Sequence, residues 1–355
     1  MKKQINNLVF LIPSLDPDEK LVEYVENLIE NGAKHILIID DGSKEETRIH
    51  FKKLVKHDEV ILLRHVVNQG KGRALKTGFN YVLENMPKIK GVVTGDADGQ
   101  HSVEDTIACG RKMLETNDIV FGTRDFNHPN VPFKSRNGNK ITTFVFKLMY
   151  DVTVKDTQTG LRALPRDFLE KCMALPGERY EYEMIMLIKA VGDERKIIEE
   201  PISTIYYGSN SGTHFNAIKD SYTIYKVMLA GFLRFALSSL ATYVIDVLLY
   251  SFLINNVFYA ISHTASIFFS TFIARVVSSL TNYNLNKATV FTSSNKDSIK
   301  RYYILAFCQM LASWLLVTLL YSLIGLSTTI LKIIVDFTLF LVSYRIQKKW
   351  VFNKQ

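Results

Sequence analysis

Two carboxylates, Asp96 and Asp98, stand one residue apart directly after a short apolar run, and Gln100 follows two positions later. Carboxylate and amide oxygens are the ligands that hard divalent cations such as Mg²⁺ and Mn²⁺ prefer. A cation held there acts as a Lewis acid and draws charge from a departing diphosphate. An Asp-x-Asp pair alone is a weak signal, and its place at a strand end strengthens it. The pattern predicts a divalent metal site at Asp96, Asp98 and Gln100.

Other polar residues that suit a nucleotide site also lie at the ends of apolar runs. Asp40 and Asp41 follow one run, where they either form a turn and cap a helix or accept hydrogen bonds from a base or ribose. Pro13 ends the first run and is expected to shape the same pocket. The glycine-rich loop around Lys71 precedes a helical pattern and can bind anions, although this signal is weak by itself.

Two arginines, Arg124 and Arg136, are candidates for binding phosphates, because a guanidinium can bind two oxygens at once. Each also fits the description of an ordinary surface arginine. Asp156 and Gln158 follow beyond the predicted sheet and are candidates for the acceptor side of the site. The acidic segment 180–183 starts a helical pattern, where its carboxylates either cap that helix or line the site.

Short apolar runs alternate with helical patterns over the first 125 residues, and this alternation predicts βαβ units and a mainly parallel sheet. The runs are Leu8–Ile12, Ile36–Ile39, Val60–Leu63, Gly91–Thr94 and Ile119–Gly122. Ligands of such sheets bind beyond the carboxyl ends of the strands. Because Asp40, Asp96 and Arg124 lie at those ends, we expect an α/β domain that gathers them in one cleft.

The second part of the chain differs in charge and hydropathy. Residues 221–355 carry 12 Lys and Arg against three Asp, whereas the first 220 residues carry 31 basic and 32 acidic residues. Four apolar segments, near 228–254, 257–280, 303–324 and 328–346, each reach the ~20 residues that a transmembrane helix needs. The basic residues flank these segments, which points to anionic lipids rather than to nucleic acid. By the positive-inside rule both termini are cytoplasmic.

This apolar part contains an internal repeat. The segments Tyr283–Phe291 and Tyr344–Phe352 both read Tyr-x-aliphatic-amide-Lys-x-x-Val-Phe and lie 61 residues apart. The first and third apolar segments open alike, with Arg234 and Arg301 each followed by an aromatic residue. The pattern predicts two copies of a two-helix unit in the same orientation. Arg234, near the inner end of its segment, is a candidate for contacting a lipid phosphate.

The expected domain division is a cytoplasmic catalytic domain over 1–214, a juxtamembrane helix over 215–229 and a membrane domain over 230–355. Segments 137–150 and 215–229 both show apolar residues at helical spacing. Each is either an interfacial amphipathic helix or an ordinary helix packed on the sheet.

In their order along the chain, these motifs resemble glycosyltransferase family 2, in the branch of dolichol-phosphate mannosyltransferases and bacterial polyprenyl-phosphate glucosyltransferases. The repeated endings resemble the GtrA-type four-helix membrane family. The motifs that carry the first resemblance are Ile39–Ser43, Asn68–Gly78, Asp96–His101, Gly122–Arg124 and Asp156–Arg162.

The resemblance implies a GT-A fold and one inverting displacement. It implies that Asp96, Asp98 and Gln100 hold the metal and that Arg124 and Arg136 bind phosphates, so that Asp96, Asp98, Arg124 and Arg136 carry the catalysis. The nucleotide contacts that it implies come from Pro13, Asp40 and Asp41; we add Lys71 and Asp96 to this set.

Two segments depart from the family pattern. The usual Pro-x-Tyr-Asn-Glu near the first strand reads Pro-Ser-Leu-Asp-Pro over 13–17. The usual basic segment before the membrane, here 207–214, contains no Lys or Arg, and His214 is a candidate substitute ligand for the acceptor phosphate.

The expected function is transfer of a single sugar from a nucleotide donor to undecaprenyl phosphate, giving a lipid-linked sugar for cell-envelope glycosylation. By resemblance, the donor is UDP-glucose or UDP-N-acetylglucosamine. One alternative is a processive polysaccharide synthase, although its usual Gln-x-x-Arg-Trp signature does not occur in this chain. The other is a lipid-linked-sugar transporter with a noncatalytic nucleotide-binding domain. No nucleic acid partner is expected, and the sequence leaves open whether the chain forms a homo-oligomer.

Overall fold

The computed structural model describes residues 5–127, 131, 133–203, 218–260, 262–291 and 296–352. The chain divides into two compact units, Met1–Met228 and Leu229–Gln355.

The first unit is built on a seven-stranded sheet with the strand order β3-β2-β1-β4-β6-β5-β7. The strands are β1 Leu8–Ser14, β2 Ile36–Asp40, β3 Val60–Arg64, β4 Gly91–Thr94, β5 Ile119–Arg124, β6 Arg162–Pro165 and β7 Ile197–Ile202. β6 runs antiparallel to β4 and β5, while the other paired strands are parallel. The predicted mainly parallel sheet is confirmed, with each of the five expected apolar runs forming a strand.

Seven helices flank this sheet in the described part of the first unit. They are α1 Glu19–Glu30, α2 Arg48–Leu54, α3 Lys71–Asn85, α4 Val103–Thr116, α5 Phe133–Tyr150, α6 Arg166–Met173 and α7 Glu181–Gly192. Strand side chains alternate between two buried clusters, as a pleated sheet covered on both faces requires. α3, α5, α6 and α7 pack into one cluster and α1, α2 and α4 into the other.

The strand directions bring several loops to one edge of the sheet. β1, β2 and β4 run parallel and end at Ser14, Asp40 and Thr94. β6 runs the opposite way and pairs its first residue, Arg162, with Thr94. The loop that precedes β6 therefore arrives at the same edge as the loops that follow β1, β2 and β4.

The second unit is helical. Its helices are α8 Lys219–Phe252, which begins in the first unit, α9 His263–Leu285, α10 Ser298–Ile324 and α11 Thr328–Ile346. Two segments, Lys219–Val257 and Ser298–Ile324, are long and apolar enough to cross a membrane by length and composition, with mean hydropathies of 1.8 and 2.0. α8 is continuous from residue 219, so no break separates the predicted juxtamembrane segment from the first span.

Equivalent residues of the two sequence repeats make equivalent contacts. The guanidinium of Arg234 donates to the carbonyl oxygen of Thr289 at 3.4 Å, and that of Arg301 donates to the carbonyl oxygen of Trp350 at 2.9 Å. Thr289 and Trp350 occupy the same position of the repeat, 61 residues apart. Each arginine thus binds the π-helical turn that ends its own two-helix unit.

The two copies also pack against each other through equivalent aromatic rings. Tyr283 of the first copy lies against Phe352 of the second at 5.7 Å between ring centroids, and Tyr344 of the second lies against Phe291 of the first at 5.9 Å. The two phenylalanines stack on each other at 4.9 Å. This reciprocal pairing is what a self-complementary interface between two copies of one unit requires, and it agrees with the predicted repeat.

Candidate active site

A cavity of about 580 Å³ lies at the carboxyl edge of the sheet in the first unit. The loops after β1, β2 and β4 line it, together with the first turns of α3 and α7. Of the residues predicted from the sequence, those that line the cavity are Pro13, Asp41, Lys71, Asp96, Asp98, Arg124 and Gln158. Residues from five separate motifs therefore meet in one cleft.

Lys71 is the central cation of this cleft. Its ammonium nitrogen lies 2.7 Å from Asp96 Oδ1 and 3.0 Å from Glu183 Oε2. Burial alone would lower the pKa of Lys71, but the two carboxylates outweigh it and hold the pKa above its ordinary value. Lys71 is therefore a fixed positive charge between Asp96, which follows β4, and Glu183, which is in α7.

The glycines on either side of Lys71 explain why these elements meet. A Cβ at Gly72 would lie 2.6 Å from the Cβ of Tyr182, and one at Gly70 would lie 2.4 Å from the carbonyl oxygen of Glu178. Gly70 also has a φ of +103°, which disfavours other residues. The absence of both side chains lets the start of α3 pack directly on the turn before α7, and this packing brings Lys71 to Glu183.

Asp41 fixes the same glycine loop from the other side. Its carboxylate accepts hydrogen bonds from the backbone N–H of Gln69 at 2.9 Å and of Gly70 at 2.7 Å, and it lies 2.6 Å from Nδ1 of His65. Asp40 instead accepts from the N–H of Ser43 at 2.8 Å, and among the described residues it does not line the cavity. The structure thus places Asp41, but not Asp40, at the cleft.

Asp96 and Asp98 differ in their electrostatic surroundings. Burial would raise the pKa of Asp96, but the positive charge of Lys71 and the neighbouring His101 hold that pKa far below its usual range. Burial, and then the negative charge of Asp96, raise the pKa of Asp98. Asp96 is also closely packed against the loop before β6, since a Cβ at Gly160 would lie 2.2 Å from one of its carboxylate oxygens.

Arg124 lines the cavity, and hydrogen bonds to Asp156 hold its guanidinium in place. The guanidinium Nε donates to Asp156 Oδ2 at 2.6 Å, and one terminal nitrogen donates to Oδ1 at 3.0 Å. Asp156 has no exposed surface, so it orients Arg124 rather than contacting the cavity itself. Gln158, two residues later, also lines the cavity.

The other predicted acceptor-side residues lie elsewhere. Arg136 is on α5 and, among the described residues, is not one that lines the cavity. Arg234 belongs to the second unit, where it binds the carbonyl oxygens of Ala230 and Thr289. His214 lies outside the described residues.

Comparisons with known proteins match two parts of the chain to known families. Residues 10–173 match the model of glycosyl transferase family 2, and residues 234–352 match that of the GtrA/DPMS transmembrane domain. A UDP-N-acetylglucosamine–dolichyl-phosphate N-acetylglucosaminyltransferase of Methanococcus voltae is 32% identical over 230 residues, which are 59% of this chain and 91% of that protein. The chain belongs to glycosyl transferase family 2.

Two further relatives extend the comparison. An uncharacterized protein of Methanocaldococcus jannaschii is 34% identical over 231 residues, covering 63% of this chain and 92% of that protein. A polyprenol monophosphomannose synthase of Mycolicibacterium smegmatis is 26% identical over 176 residues, covering 48% of this chain and 66% of that protein. The chain is thus a family 2 glycosyltransferase joined to a GtrA/DPMS transmembrane domain.

Family 2 enzymes commonly depend on a divalent metal, and the residues of this glycosyltransferase fit one. Among the described residues that line the cavity, six carboxylates face four Lys and Arg side chains, so the lining carries a net charge of −2. A net negative lining repels a diphosphate, and a divalent cation bound with the diphosphate would offset this repulsion.

The ligands available suit a metal that arrives with the diphosphate. In the described part of the chain, no group of three or more His, Cys, Asp and Glu side chains is placed to hold a metal ion. Mg²⁺ is usually bound by only one or two carboxylates together with substrate phosphates and water, and Asp96 and Asp98 would be those two. The backbone N–H of Gln100 donates to Asp98 Oδ1 at 3.0 Å, while its side chain is not among the described ones that line the cavity.

Arg162 is a residue of the site that was not predicted, whereas Glu183 belongs to a segment that the sequence left with two possible roles. Arg162 is fully buried and donates to the carbonyl oxygens of Thr159 at 2.9 Å and Glu183 at 2.6 Å, so it ties the loop before β6 to α7. A charged residue that opens an apolar strand was the available signal. Glu183 lines the cavity, whereas Glu181 caps its own helix by accepting from the backbone N–H of residue 178 at 3.0 Å. The segment thus has both of the roles that the sequence left open.

Proposed function

We propose that this glycosyltransferase moves one sugar from UDP-N-acetylglucosamine or UDP-glucose onto the phosphate of a polyprenyl lipid, undecaprenyl phosphate or a dolichyl phosphate, with inversion at the anomeric carbon. The observation that carries the proposal is the convergence of Asp96, Asp98, Lys71 and Arg124 on one cavity. The named relative from Methanococcus voltae supports N-acetylglucosamine as the first donor to test.

The donor nucleotide is proposed to lie against the loops after β1 and β2. Pro13 and Asp41 line this part of the cavity with Asn68. Asp16 and Ser43 tie the two loops together, because the N–H of Asp16 donates to Ser43 Oγ at 2.9 Å. The pocket for the nucleoside is therefore held in place before the donor binds. Asp40 would act indirectly, through the turn that it stabilises.

The diphosphate is proposed to lie beside Lys71, Asp96 and Asp98. Asp96 and Asp98 would hold Mg²⁺ or Mn²⁺, and when bound this ion supplies Lewis-acid stabilisation of the leaving diphosphate. Lys71 contributes a second positive charge on the same side. Its ammonium group lies only 2.7 Å from Asp96, so it can neutralise phosphate oxygens without moving far.

The acceptor phosphate needs no base from the protein. With a second pKa near 6, a phosphate monoester is mostly a dianion at pH 7, so its oxygen is already a nucleophile. The task of the protein is to bring two anions together. At an effective dielectric of ~20, two unit charges ~4 Å apart cost about 4 kcal/mol. Arg124, which Asp156 orients, would offset part of this cost; Arg136 and His214 stay candidates for the same role.

The membrane is proposed to meet the catalytic domain at α5. Phe133, Ile141 and Phe144 are 75%, 55% and 66% exposed, and Lys140 and Lys147 are exposed beside them. Apolar side chains flanked by lysines are typical of helices that lie in the interface of anionic bilayers. We propose a cytoplasmic catalytic domain over 1–214, joined through residues 215–229 to a membrane domain over 230–355 with both termini cytoplasmic.

The test is transfer by the purified full-length protein in detergent with MnCl₂ or MgCl₂. Nucleotide sugars are presented one at a time with undecaprenyl phosphate or with dolichyl phosphate, and the label that enters the chloroform phase is counted. We expect a monoglycosyl lipid that is lost with a chelator and restored by excess metal. Polymer formation would favour a processive synthase. No transfer with any donor and either lipid would contradict the proposal.

A further inference from the structure

Glu183 differs from the other acidic side chains of the cavity in how its two carboxylate oxygens are used. One of them, Oε2, lies 3.0 Å from the ammonium group of Lys71. The other, Oε1, has no hydrogen-bond partner among the residues that the structure describes. The side chain lines the cavity, yet the residue is only 7% exposed. A buried acceptor without a partner is costly, which points to a group that the bound ligand supplies.

The position of Glu183 limits what that group can be. Lys71 contacts both Asp96 Oδ1 and Glu183 Oε2, so the two carboxylates are near neighbours on either side of one nitrogen atom. Given the proposed function, the donor diphosphate lies at Asp96. The nucleoside, at one end of the diphosphate, is proposed to lie against the loops after β1 and β2. The sugar, at the other end, is therefore the part of the donor that remains to contact Glu183. Sugars present hydroxyl donors, and a carboxylate oxygen accepts them.

Glu183 is also held rigidly. Arg162 donates to its carbonyl oxygen at 2.6 Å, and Glu181 caps the first turn of α7. The Tyr182 hydroxyl donates to the carbonyl oxygen of Cys172 at 2.9 Å, which anchors the same turn in the core. A carboxylate held in this way costs little additional entropy when it binds a ligand.

We propose that Glu183 binds a hydroxyl group of the donor sugar through Oε1, while Lys71 holds Oε2, so that Glu183 determines which sugars the enzyme accepts. This inference rests on the proposed function. It goes beyond the motifs read from the sequence, since it assigns a sugar-contacting residue to a helix turn that carries no recognised nucleotide signature.

The experiment compares two ligands that differ only in the sugar, UDP and UDP-N-acetylglucosamine, by titration calorimetry with MnCl₂ present. Glu183→Ala should weaken binding of UDP-N-acetylglucosamine by about ten- to a hundredfold, the loss that one charge-assisted hydrogen bond accounts for. Its affinity for UDP should stay within about threefold of the wild type. Glu183→Gln keeps the shape of the side chain and should show a smaller loss of the same kind.

Glu181→Gln is the matched control. It lies on the same turn, is not among the described residues that line the cavity, and keeps an oxygen that can accept the capping hydrogen bond. Both affinities should match those of the wild type. Thermal unfolding of each variant in the same detergent shows whether any loss comes from misfolding.

Deoxy analogues of the donor identify the contact. One analogue, lacking a single hydroxyl, should bind wild type more weakly by the same factor that Glu183→Ala loses, and it should bind wild type and Glu183→Ala alike. If Glu183→Ala weakens binding of every deoxy analogue by the same factor as it weakens binding of the full donor, the two losses are independent and Glu183 does not bind a sugar hydroxyl. Equal loss of UDP and UDP-N-acetylglucosamine affinity would also overturn the assignment. If wild type binds UDP but none of the UDP-sugars tested, the proposed function fails and this inference fails with it.

Discussion

The cavity of the catalytic unit and the contact between the two membrane repeats treat their buried polar groups in opposite ways. In the catalytic unit, the hydroxyls of Ser14 and Thr157 and one oxygen of Glu183 are buried, line the cavity and have no partner among the described residues. Where the two membrane repeats meet, the buried amides of Asn286 and Gln347 bond to each other at 3.3 Å.

The difference separates a cavity whose hydrogen-bonding groups are open from an interface whose groups are paired. Leaving a buried polar group unpaired costs about 1–3 kcal/mol, so the three groups at the cavity are available to bind a ligand or water. The paired amides of the repeats need no ligand and instead hold equivalent helices in register. Substitutions at the cavity should therefore lower activity, whereas substitutions at the contact between the repeats should lower stability.

The largest effect is expected at the two carboxylates that would hold the metal. Asp96→Asn and Asp98→Asn should each lower the rate of sugar transfer by about a thousandfold, because several kcal/mol of charge stabilisation on the leaving diphosphate are lost. Expression, membrane insertion and elution on size exclusion should stay unchanged. Asp118→Asn, which removes only a surface pair with Lys196 at 3.6 Å, is the control. Near-normal transfer by either Asn variant would refute the metal assignment.

The next effect concerns the orientation of Arg124. Arg124→Lys and Asp156→Asn should each lower kcat/KM by about a hundredfold, because a lysine cannot make the paired contact and an asparagine cannot accept both N–H groups. The double variant should be little worse than either single one, since both remove the same oriented cation. Independent losses that multiply in the double variant would show that Asp156 acts by another route.

Substitution of Lys71 should change two binding affinities in opposite directions, each by less than the effects above. Its ammonium group lies 2.7 Å from Asp96 Oδ1, so it would compete with a metal for Asp96 and would also neutralise the diphosphate of the proposed donor. Lys71→Met should therefore strengthen binding of Mn²⁺ alone by about tenfold and weaken binding of UDP in the presence of metal by about the same factor. Electron paramagnetic resonance measures the first change and calorimetry the second. A fall in both affinities would mean that Lys71 serves only to keep the cleft folded.

The smallest effect is expected in the membrane unit, where the repeat supplies its own control. Arg234 and Arg301 make the same backbone contact in the two copies. Arg234→Gln and Arg301→Gln should lower the free energy of unfolding alike, by about 1 kcal/mol, without changing the KM for the lipid. A rise in that KM for Arg234→Gln alone would instead identify Arg234 as a ligand of the acceptor phosphate.

Much of the fold follows from short-range patterns in the sequence. The apolar runs at Leu8–Ile12 and Ile36–Ile39 became parallel strands because their residues are buried on both faces of the sheet. The antiparallel β6 escaped prediction, since its four residues carry no alternation and begin with an arginine. The offset of 61 residues between the repeats predicted which side chains would be equivalent, but not that Asn286 and Gln347 would meet.

The site residues that lie at strand ends could be predicted from the sequence. The contacts that depend on packing between distant segments could not. Asp96 and Asp98 follow β4 and Arg124 ends β5, so the sheet brings them together. Lys71 and Glu183 are far apart in the chain, and they meet only because Gly70 and Gly72 allow two helices to approach. Those glycines suggested anion binding in the sequence, whereas close backbone packing is the role that the structure gives them.

The most direct measurement is the structure of the product made from UDP-N-acetylglucosamine and undecaprenyl phosphate. Wild type is incubated with MnCl₂, and the lipid product is analysed by mass spectrometry and by ¹H and ³¹P nuclear magnetic resonance. We expect one sugar per lipid, joined through a phosphodiester, with the anomeric configuration opposite to that of the donor, and no such product from Asp98→Asn. Retained configuration, several sugars per lipid, or sugar released only into water would contradict a single displacement by the lipid phosphate.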